Sequence, residues 1–190
     1  MVQRGGDTWT RFGGWFDRYK NEDSPDGRDM GGKVPKKIVS WDYAPSEDYF
    51  KELFRVSKEQ IIWGGNYFAL PPTRCFLVWR KVNISESFSM AMAEYAWCSF
   101  RGNAKVIDLQ SNGIAGRFHP TQKPEELYRW IYRHYTKDGD KILDTHLGSG
   151  SSRRAAYDFD LDFIGIEIDE EYYRKQEEAW EAYTAQQRMW

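Results

Sequence analysis

The chain has 190 residues and a formal net charge of −2, so it has the size of one domain with a sizeable core and is not a general polyanion binder. Its two cysteines and three histidines have no spacing typical of a disulfide framework or a metal site. Without a cleavable signal or an apolar run of membrane-spanning length, the sequence predicts a cytoplasmic protein with no membrane contact and no metal.

The first half of the chain predicts an arm followed by a mixture of helix and strands. Residues 1–35 are rich in Gly, Asp, Arg and Pro without periodicity, which predicts a loop or arm ahead of a single domain over residues 36–190. A helix is predicted over residues 47–57, after Pro45 and Ser46. Strands are predicted over residues 36–41, 60–63, 75–79 and 89–100, and the polar residues 101–118 predict an irregular excursion.

The second half predicts a strand-turn-helix-strand unit between two helices. The helices are predicted over residues 125–135 and 170–187. Between them, a short strand ends on Asp144, and Gly148 and Gly150 turn the chain into a helix that begins near residue 151. A second strand, residues 163–166, ends on Glu167. This order predicts an α/β fold with a Rossmann-like sheet and helices on both faces.

The two acids at the strand ends predict a nucleoside site. Glu167 follows Asp144 by 23 residues, which is where a doubly wound sheet places a carboxylate against ribose hydroxyls. Arg153 stands where a dinucleotide fingerprint needs a small residue, and no phosphate-binding Gly-Lys-Ser/Thr triplet occurs. Asp144 would also repel a phosphate. The pattern therefore favours an adenosine cofactor without phosphates that carries a cationic sulfonium.

Three segments together resemble a known family. They are the hexapeptide HPTQKP at residues 119–124, the loop DTHLGSGSS at residues 144–152, and GIEIDEEYY at residues 165–173. This set resembles the DNA methyltransferases that transfer a methyl group from S-adenosylmethionine to adenine N6 or cytosine N4. The motif order looks like the beta arrangement, and WGGNYF at residues 63–68 is similar to small phage and prophage members. The resemblance implies a methyltransferase sheet and a role in DNA methylation or restriction-modification.

The resemblance also implies roles for individual residues in binding S-adenosylmethionine. Thr121 and Lys123 would hold the carboxylate of its methionine part, at the start of a helix. Glu167 would accept hydrogen bonds from the ribose, and Asp144 would lie near the ammonium or sulfonium. His119, Gly148 and Gly150 complete the predicted cofactor site, and Phe163 or Ile168 would wall the adenine. Asp169 is predicted to cap the last helix instead.

The chain lacks the motif that holds the target base in this family. No Asp/Asn/Ser-Pro-Pro-aromatic tetrapeptide is present, so the sheet is expected to lack one central strand, and the motif is expected upstream of Met1. Asp42 could accept from the target amine and Tyr43 or Trp41 could stack on the base, although Asp42 has an alternative role before the first helix. The activity prediction is adenine N6 methylation. The alternative is an impaired or truncated protein that binds cofactor or DNA without turnover.

DNA is the partner that the resemblance implies, and a homodimer is an expectation of the family. Residues 158–190 contain ten acids and three bases, so residues 1–157 have a net charge of +5. This charge is compatible with a DNA-binding face. The sequence predicts a cluster of cations as contacts to DNA phosphates. Its members are Lys33, Lys36, Lys37, Arg74, Arg80, Lys81, Arg101 and Lys105.

Overall fold

A computed structural model describes residues 44–111 and 117–187. The predicted arm, the predicted strand at residues 36–41, and the candidate residues Asp42 and Tyr43 lie outside this part. The compact unit described below begins at Pro45. The domain boundary after residue 35 therefore stays a prediction.

Helix α1 spans Glu47–Val56, as predicted. Its N-terminus is capped by Ser46, whose hydroxyl accepts a hydrogen bond of 3.3 Å from the backbone N–H of Tyr49. The helix leads into strand β1, Ile61–Trp63, and then into one turn of 3-10 helix at Gly65–Tyr67. Gly65 permits close packing there, since a Cβ atom at this position would lie 2.4 Å from the Cβ atom of Trp97.

Four strands form the larger sheet, in the order β1-β3-β2-β4. Strand β3 is antiparallel to both of its neighbours, whereas β2 and β4 are parallel. The alternation along β2 places Leu77 and Trp79 in the core and Arg80 in solvent. The bounds are Phe76–Lys81 for β2, Ala93–Cys98 for β3 and Lys105–Leu109 for β4.

Strand β4 corrects the prediction of an irregular excursion over residues 101–118. Ile107 is buried against the core, whereas Val106 and Asp108 on either side of it are exposed. Only one face of this short strand packs on the core, and the strand lies at the edge of the sheet. Its polar residues therefore resemble those of a loop, and the strand is recognisable only through its pairing with β2.

The predicted strand-turn-helix-strand unit is confirmed. Strand β5, Lys141–Asp144, pairs in parallel with β6, Asp162–Gly165, and helix α3, Ser151–Asp158, connects them. Helix α2 spans Glu125–Tyr135 ahead of the unit, and α4 spans Glu170–Gln187 after it. The second sheet has two strands, and within the described ranges it does not pair with the larger sheet.

One hydrophobic core serves both sheets. Leu127 and Ile131 of α2 and Ala155 of α3 join the buried side chains of β2 and β3 in a single cluster. On the other face of the larger sheet, Phe54 of α1 makes an edge contact with the ring of Trp97, at a centroid distance of 5.8 Å. Helices therefore contact both faces of that sheet through these side chains. No helix in the described segments has the length and apolarity needed to span a bilayer.

Candidate cofactor site

The two acids predicted for the nucleoside site lie at the same edge of the smaller sheet. In the parallel pair, Asp144 is opposite Gly165, and Glu167 follows two residues later. The carboxyl ends of parallel strands meet at one edge, where ligands of α/β sheets bind. The register therefore brings both acids to the loop that contains Gly148 and Gly150.

Glu167 holds this loop through its side chain. Its Oε2 atom accepts a hydrogen bond of 2.7 Å from the backbone N–H of Gly148, and its Oε1 atom accepts one of 2.9 Å from the N–H of Asp169. Each oxygen thus accepts one hydrogen bond from the described part of the chain. Because a carboxylate has about four acceptor positions, Glu167 retains capacity for a pair of ligand hydroxyls.

Asp144 holds the other end of the same loop. Its Oδ1 atom accepts a hydrogen bond of 3.0 Å from the N–H of His146, and its Oδ2 atom accepts from the hydroxyl of Ser152. The backbone oxygen of Asp144 accepts from Ile166, which ties β5 to the residue before Glu167. The two acids therefore fix the loop between them.

The loop glycines are required by the backbone and by packing. Gly148 and Gly150 have φ angles of +53° and +69°, in the left-handed region that favours glycine. A Cβ atom on Gly148 would lie 3.3 Å from the His119 ring, and one on Gly150 would lie 2.9 Å from Oε1 of Gln176. Both glycines therefore serve the folding of the loop.

His119 joins the hexapeptide segment to the glycine loop. Its buried ring packs on Gly148 and makes an edge contact with Tyr172, at a centroid distance of 4.4 Å. The Oγ1 atom of Thr121 lies 3.2 Å from Nδ1 of His119. Burial lowers the pKa of His119 below its ordinary value, although the nearby charge of Glu167 opposes this effect. The structure thus brings His119, Thr121, Gly148 and Glu167 together.

Lys123 lies in a different environment from the rest of the predicted site. Its Nζ atom lies 3.1 Å from Oε2 of Glu94 on β3 and 5.4 Å from the ring centroid of Trp63 on β1. The other carboxylate oxygen of Glu94, Oε1, lies 2.8 Å from Nζ of Lys81. The ammonium predicted to hold a cofactor carboxylate is therefore already paired with an acid of the protein.

Some neighbours of the site carry little signal in the sequence. Ser152 could be anticipated from the serine-rich glycine loop, whereas Glu94 and Tyr49 lie in segments far from any motif. The Tyr49 hydroxyl shares a hydrogen bond of 2.7 Å with Oγ1 of Thr145, which connects α1 to the loop after β5. Glu94 and Tyr49 can be identified only from their contacts in the folded chain.

Three further predictions concern residues around this loop. Asp169 caps α4 as predicted, because its Oδ1 atom accepts from the N–H groups of Glu171 and Tyr172. Ile168 is 85% exposed beside Glu167, so an apolar surface is available for a flat ring. Phe163 is partly buried and packs against the hydrophobic core, and its role as a wall for the adenine stays a prediction.

Three described members of the predicted cluster of phosphate contacts are already paired within the chain. Lys81 is buried and paired with Glu94, Arg80 donates to Asp108 at 2.8 Å, and Arg74 donates to Asn103 at 3.2 Å. Three other members, Lys33, Lys36 and Lys37, lie outside the described residues. The identity of a DNA-binding face therefore stays a prediction.

Comparisons with known proteins agree with the motifs at this site. The chain is 46% identical over 56 residues to the type II methyltransferase M2.DpnII of Streptococcus pneumoniae, covering 30% of this chain and 21% of that protein. It is 43% identical over 65 residues to the type II methyltransferase M2.LlaDCHI of Lactococcus lactis subsp. cremoris, covering 34% and 24%. The matches thus span about a fifth to a quarter of the length of these relatives.

A solved structure of the M1.HpyAVI-SAM complex is also similar, with 25% identity, a TM-score of 0.42, and coverage of 55% of this chain and 60% of that one. The model of the N6/N4 methyltransferase family, described as DNA methylase, matches residues 28–178, which is most of the chain. The chain therefore belongs to the N6/N4 DNA methylase family, whose methyl donor is S-adenosylmethionine, the cofactor predicted from the sequence.

Proposed function

We propose that this chain transfers a methyl group from S-adenosylmethionine to an exocyclic amine of a DNA base, with adenine N6 as the preferred target. The observation that supports it most directly is the shared loop of Asp144 and Glu167. Two carboxylates at adjacent parallel strand ends bind one glycine loop, in a chain of the N6/N4 methylase family. Such a site suits a nucleoside that carries positive charge.

The chemistry of the site fits this cofactor. Glu167 retains acceptor positions for two ribose hydroxyls, and the exposed side chain of Ile168 offers an apolar surface for the adenine. Asp144 supplies negative charge for the ammonium or sulfonium. When bound, S-adenosylmethionine supplies an activated methyl group. The chain's own groups hold and orient the cofactor, and positioning the two reactants is the main requirement for methyl transfer between them.

The target base needs acceptors of its own. We propose Asp42 as the acceptor for the exocyclic amine and Tyr43 as the ring that stacks on the base. An acceptor at the amine would localise its lone pair, and the extra proton could then leave to water. Because a duplex hides the amine, the base must be extruded, at a cost of a few kcal/mol.

The alternative is a protein that binds cofactor or DNA without turnover, and the absence of an Asp/Asn/Ser-Pro-Pro-aromatic tetrapeptide favours it. Incubation with S-adenosylmethionine labelled on the methyl group and with unmethylated DNA of mixed sequence separates the two. After digestion to nucleosides, we expect label in N6-methyladenine that is lost in Asp42→Ala. Label in N4-methylcytosine would change the target, whereas bound cofactor with no labelled nucleoside would support the alternative.

A further inference from the structure

A buried arginine contacts the backbone of the glycine loop. Arg154 belongs to α3, and its Nη1 atom donates a hydrogen bond of 3.0 Å to the carbonyl oxygen of Ser149. Ser149 stands between the two loop glycines, Gly148 and Gly150. Arg154 is only 6% exposed, and Ser149 is buried with it. The contact therefore lies inside the protein, at the loop that forms the candidate cofactor site.

The carbonyl of Ser149 needs a partner from outside the helical pattern. Gly150 is the N-cap of α3, and its carbonyl accepts the first helical hydrogen bond, of 3.1 Å, from the N–H of Arg154. The carbonyl one residue earlier lies ahead of that pattern. A buried carbonyl without a partner costs free energy comparable to a lost hydrogen bond. The guanidinium of Arg154 therefore stabilises the loop by satisfying this oxygen.

The glycines make the shape of the loop depend on such contacts. Glycine has more backbone freedom than any other residue, and a glycine stands on each side of Ser149. Side chains from outside the loop therefore have to select one conformation. Glu167 does so at the N–H of Gly148, and Arg154 does so at the carbonyl of Ser149. Together they fix two successive residues of the turn.

Arg154 is itself held by the first residue of α2. Its Nε atom donates a hydrogen bond of 2.6 Å to Oε1 of Glu125, which directly follows the hexapeptide segment. The other oxygen of Glu125 lies 3.0 Å from Nη2 of Arg129, whose Nε donates to Asp158 at the end of α3 at 2.6 Å. A buried guanidinium is stable only when it is paired. The ion pair therefore joins the start of α2 to the glycine loop through Arg154.

We propose that Arg154 is a positioning residue for S-adenosylmethionine. It acts through the carbonyl of Ser149, which it holds in place so that the glycine loop has its binding conformation before the cofactor arrives, and Glu125 keeps Arg154 in position. A site whose parts are already in place binds more tightly, because less conformational freedom is lost on binding. This inference rests on the proposed function, since it requires that the cofactor binds at the glycine loop.

Two measurements test this role, namely titration calorimetry with S-adenosylmethionine and NMR spectroscopy of the free, isotope-labelled chain. Arg154→Met should weaken cofactor binding by about tenfold, as expected for the loss of a hydrogen bond from a charged group. In the free chain, the amide resonances of Gly148 and Gly150 should shift and broaden. Glu125→Gln should change both readouts in the same direction. The double variant should bind no more weakly than Arg154→Met, because Glu125 affects the loop through Arg154.

Arg153→Met is the matched control on the same helix. Arg153 donates to Glu177 at 2.6 Å and lies 4.2 Å from the ring centroid of Trp180, so it pairs with α4. Its removal should destabilise the fold but leave the affinity for the cofactor unchanged, when binding is measured well below the unfolding temperature of each variant. If Arg154→Met does not fold, Arg154→Lys replaces it. A single ammonium lacks the fork geometry of the guanidinium and should still lose affinity.

Two results would overturn the proposal. The first is wild-type affinity together with unchanged Gly148 and Gly150 resonances in a folded Arg154 variant. The second is an equal loss of affinity in Arg153→Met, because the effect would then follow from general destabilisation. A wild-type chain that binds no S-adenosylmethionine would defeat the proposed function, and the resonances of the free chain would still decide whether Arg154 orders the loop.

Discussion

The carboxylate of Glu167 accepts a hydrogen bond of 2.7 Å from the backbone N–H of Gly148, so an acid after β6 holds the turn after β5. The same carboxylate binds the N–H of Asp169, which caps α4. Glu167 therefore connects the glycine loop to the start of the last helix. Any ligand that binds Glu167 is expected to stabilise both elements together.

Replacement of Glu167 tests the cofactor site. Glu167→Ala should weaken binding of S-adenosylmethionine by about 1.5 to 3 kcal/mol, because it removes charged hydrogen bonds to the ribose. Glu167→Gln is the control for shape, since it retains one acceptor oxygen and should lose less affinity. Calorimetry gives both dissociation constants. An alanine variant with wild-type affinity would refute the role of Glu167.

Two glycine variants separate the cost of backbone strain from the cost of side-chain packing at the glycine loop. Gly148→Ala should destabilise the fold by about 1 to 2 kcal/mol from its positive φ angle alone, and further because the new Cβ atom would press on the His119 ring. Gly139→Ala is the matched control, because Gly139 has a φ angle of +82° and no atom of the described residues lies within 4 Å of where its Cβ atom would stand. Urea unfolding should show a greater loss for Gly148→Ala. Equal losses would show that the contact with His119 is unimportant.

The burial of His119 predicts that the stability of the fold depends on pH. Burial lowers its pKa in the folded chain below the ordinary value of 6.5, so the unfolded chain binds this proton at higher pH. Its contribution to the free energy of unfolding is then complete above about pH 6.5 and declines as the pH falls through the folded pKa. His119→Gln should reduce this decline when urea unfolding is measured from about pH 5 to pH 8. An identical pH profile in the variant would contradict the expectation.

The hydrogen bond between Tyr49 and Thr145 predicts a coupling between α1 and the loop after β5. Tyr49→Phe and Thr145→Val should each destabilise the fold by about 1 kcal/mol. Each substitution removes one hydroxyl and leaves the other, partly buried hydroxyl without this hydrogen bond. The double variant should cost less than the sum of the two single variants, because both remove the same bond. Strict additivity in urea unfolding would show that the two residues do not interact energetically.

The regular elements near the motifs were largely predictable from the sequence. The apolar periodicity of α2 and the glycine turn after Asp144 predicted the bounds of these elements to within a residue or two. The capping role of Asp169 followed from its place before the acidic start of α4. Strand β4 was not predicted, because its one buried face becomes apparent only when it pairs with β2.

By itself, the sequence determined the family, its cofactor and the glycine turn that follows Asp144. These features depend on short-range spacing and on residue types with narrow chemical roles, such as glycine at positive φ angles. The tertiary structure decided the partner of Lys123, which lies 29 positions away at Glu94 on β3. Such a partner depends on strand order and register, which bring distant residues together and leave no periodic trace along the chain.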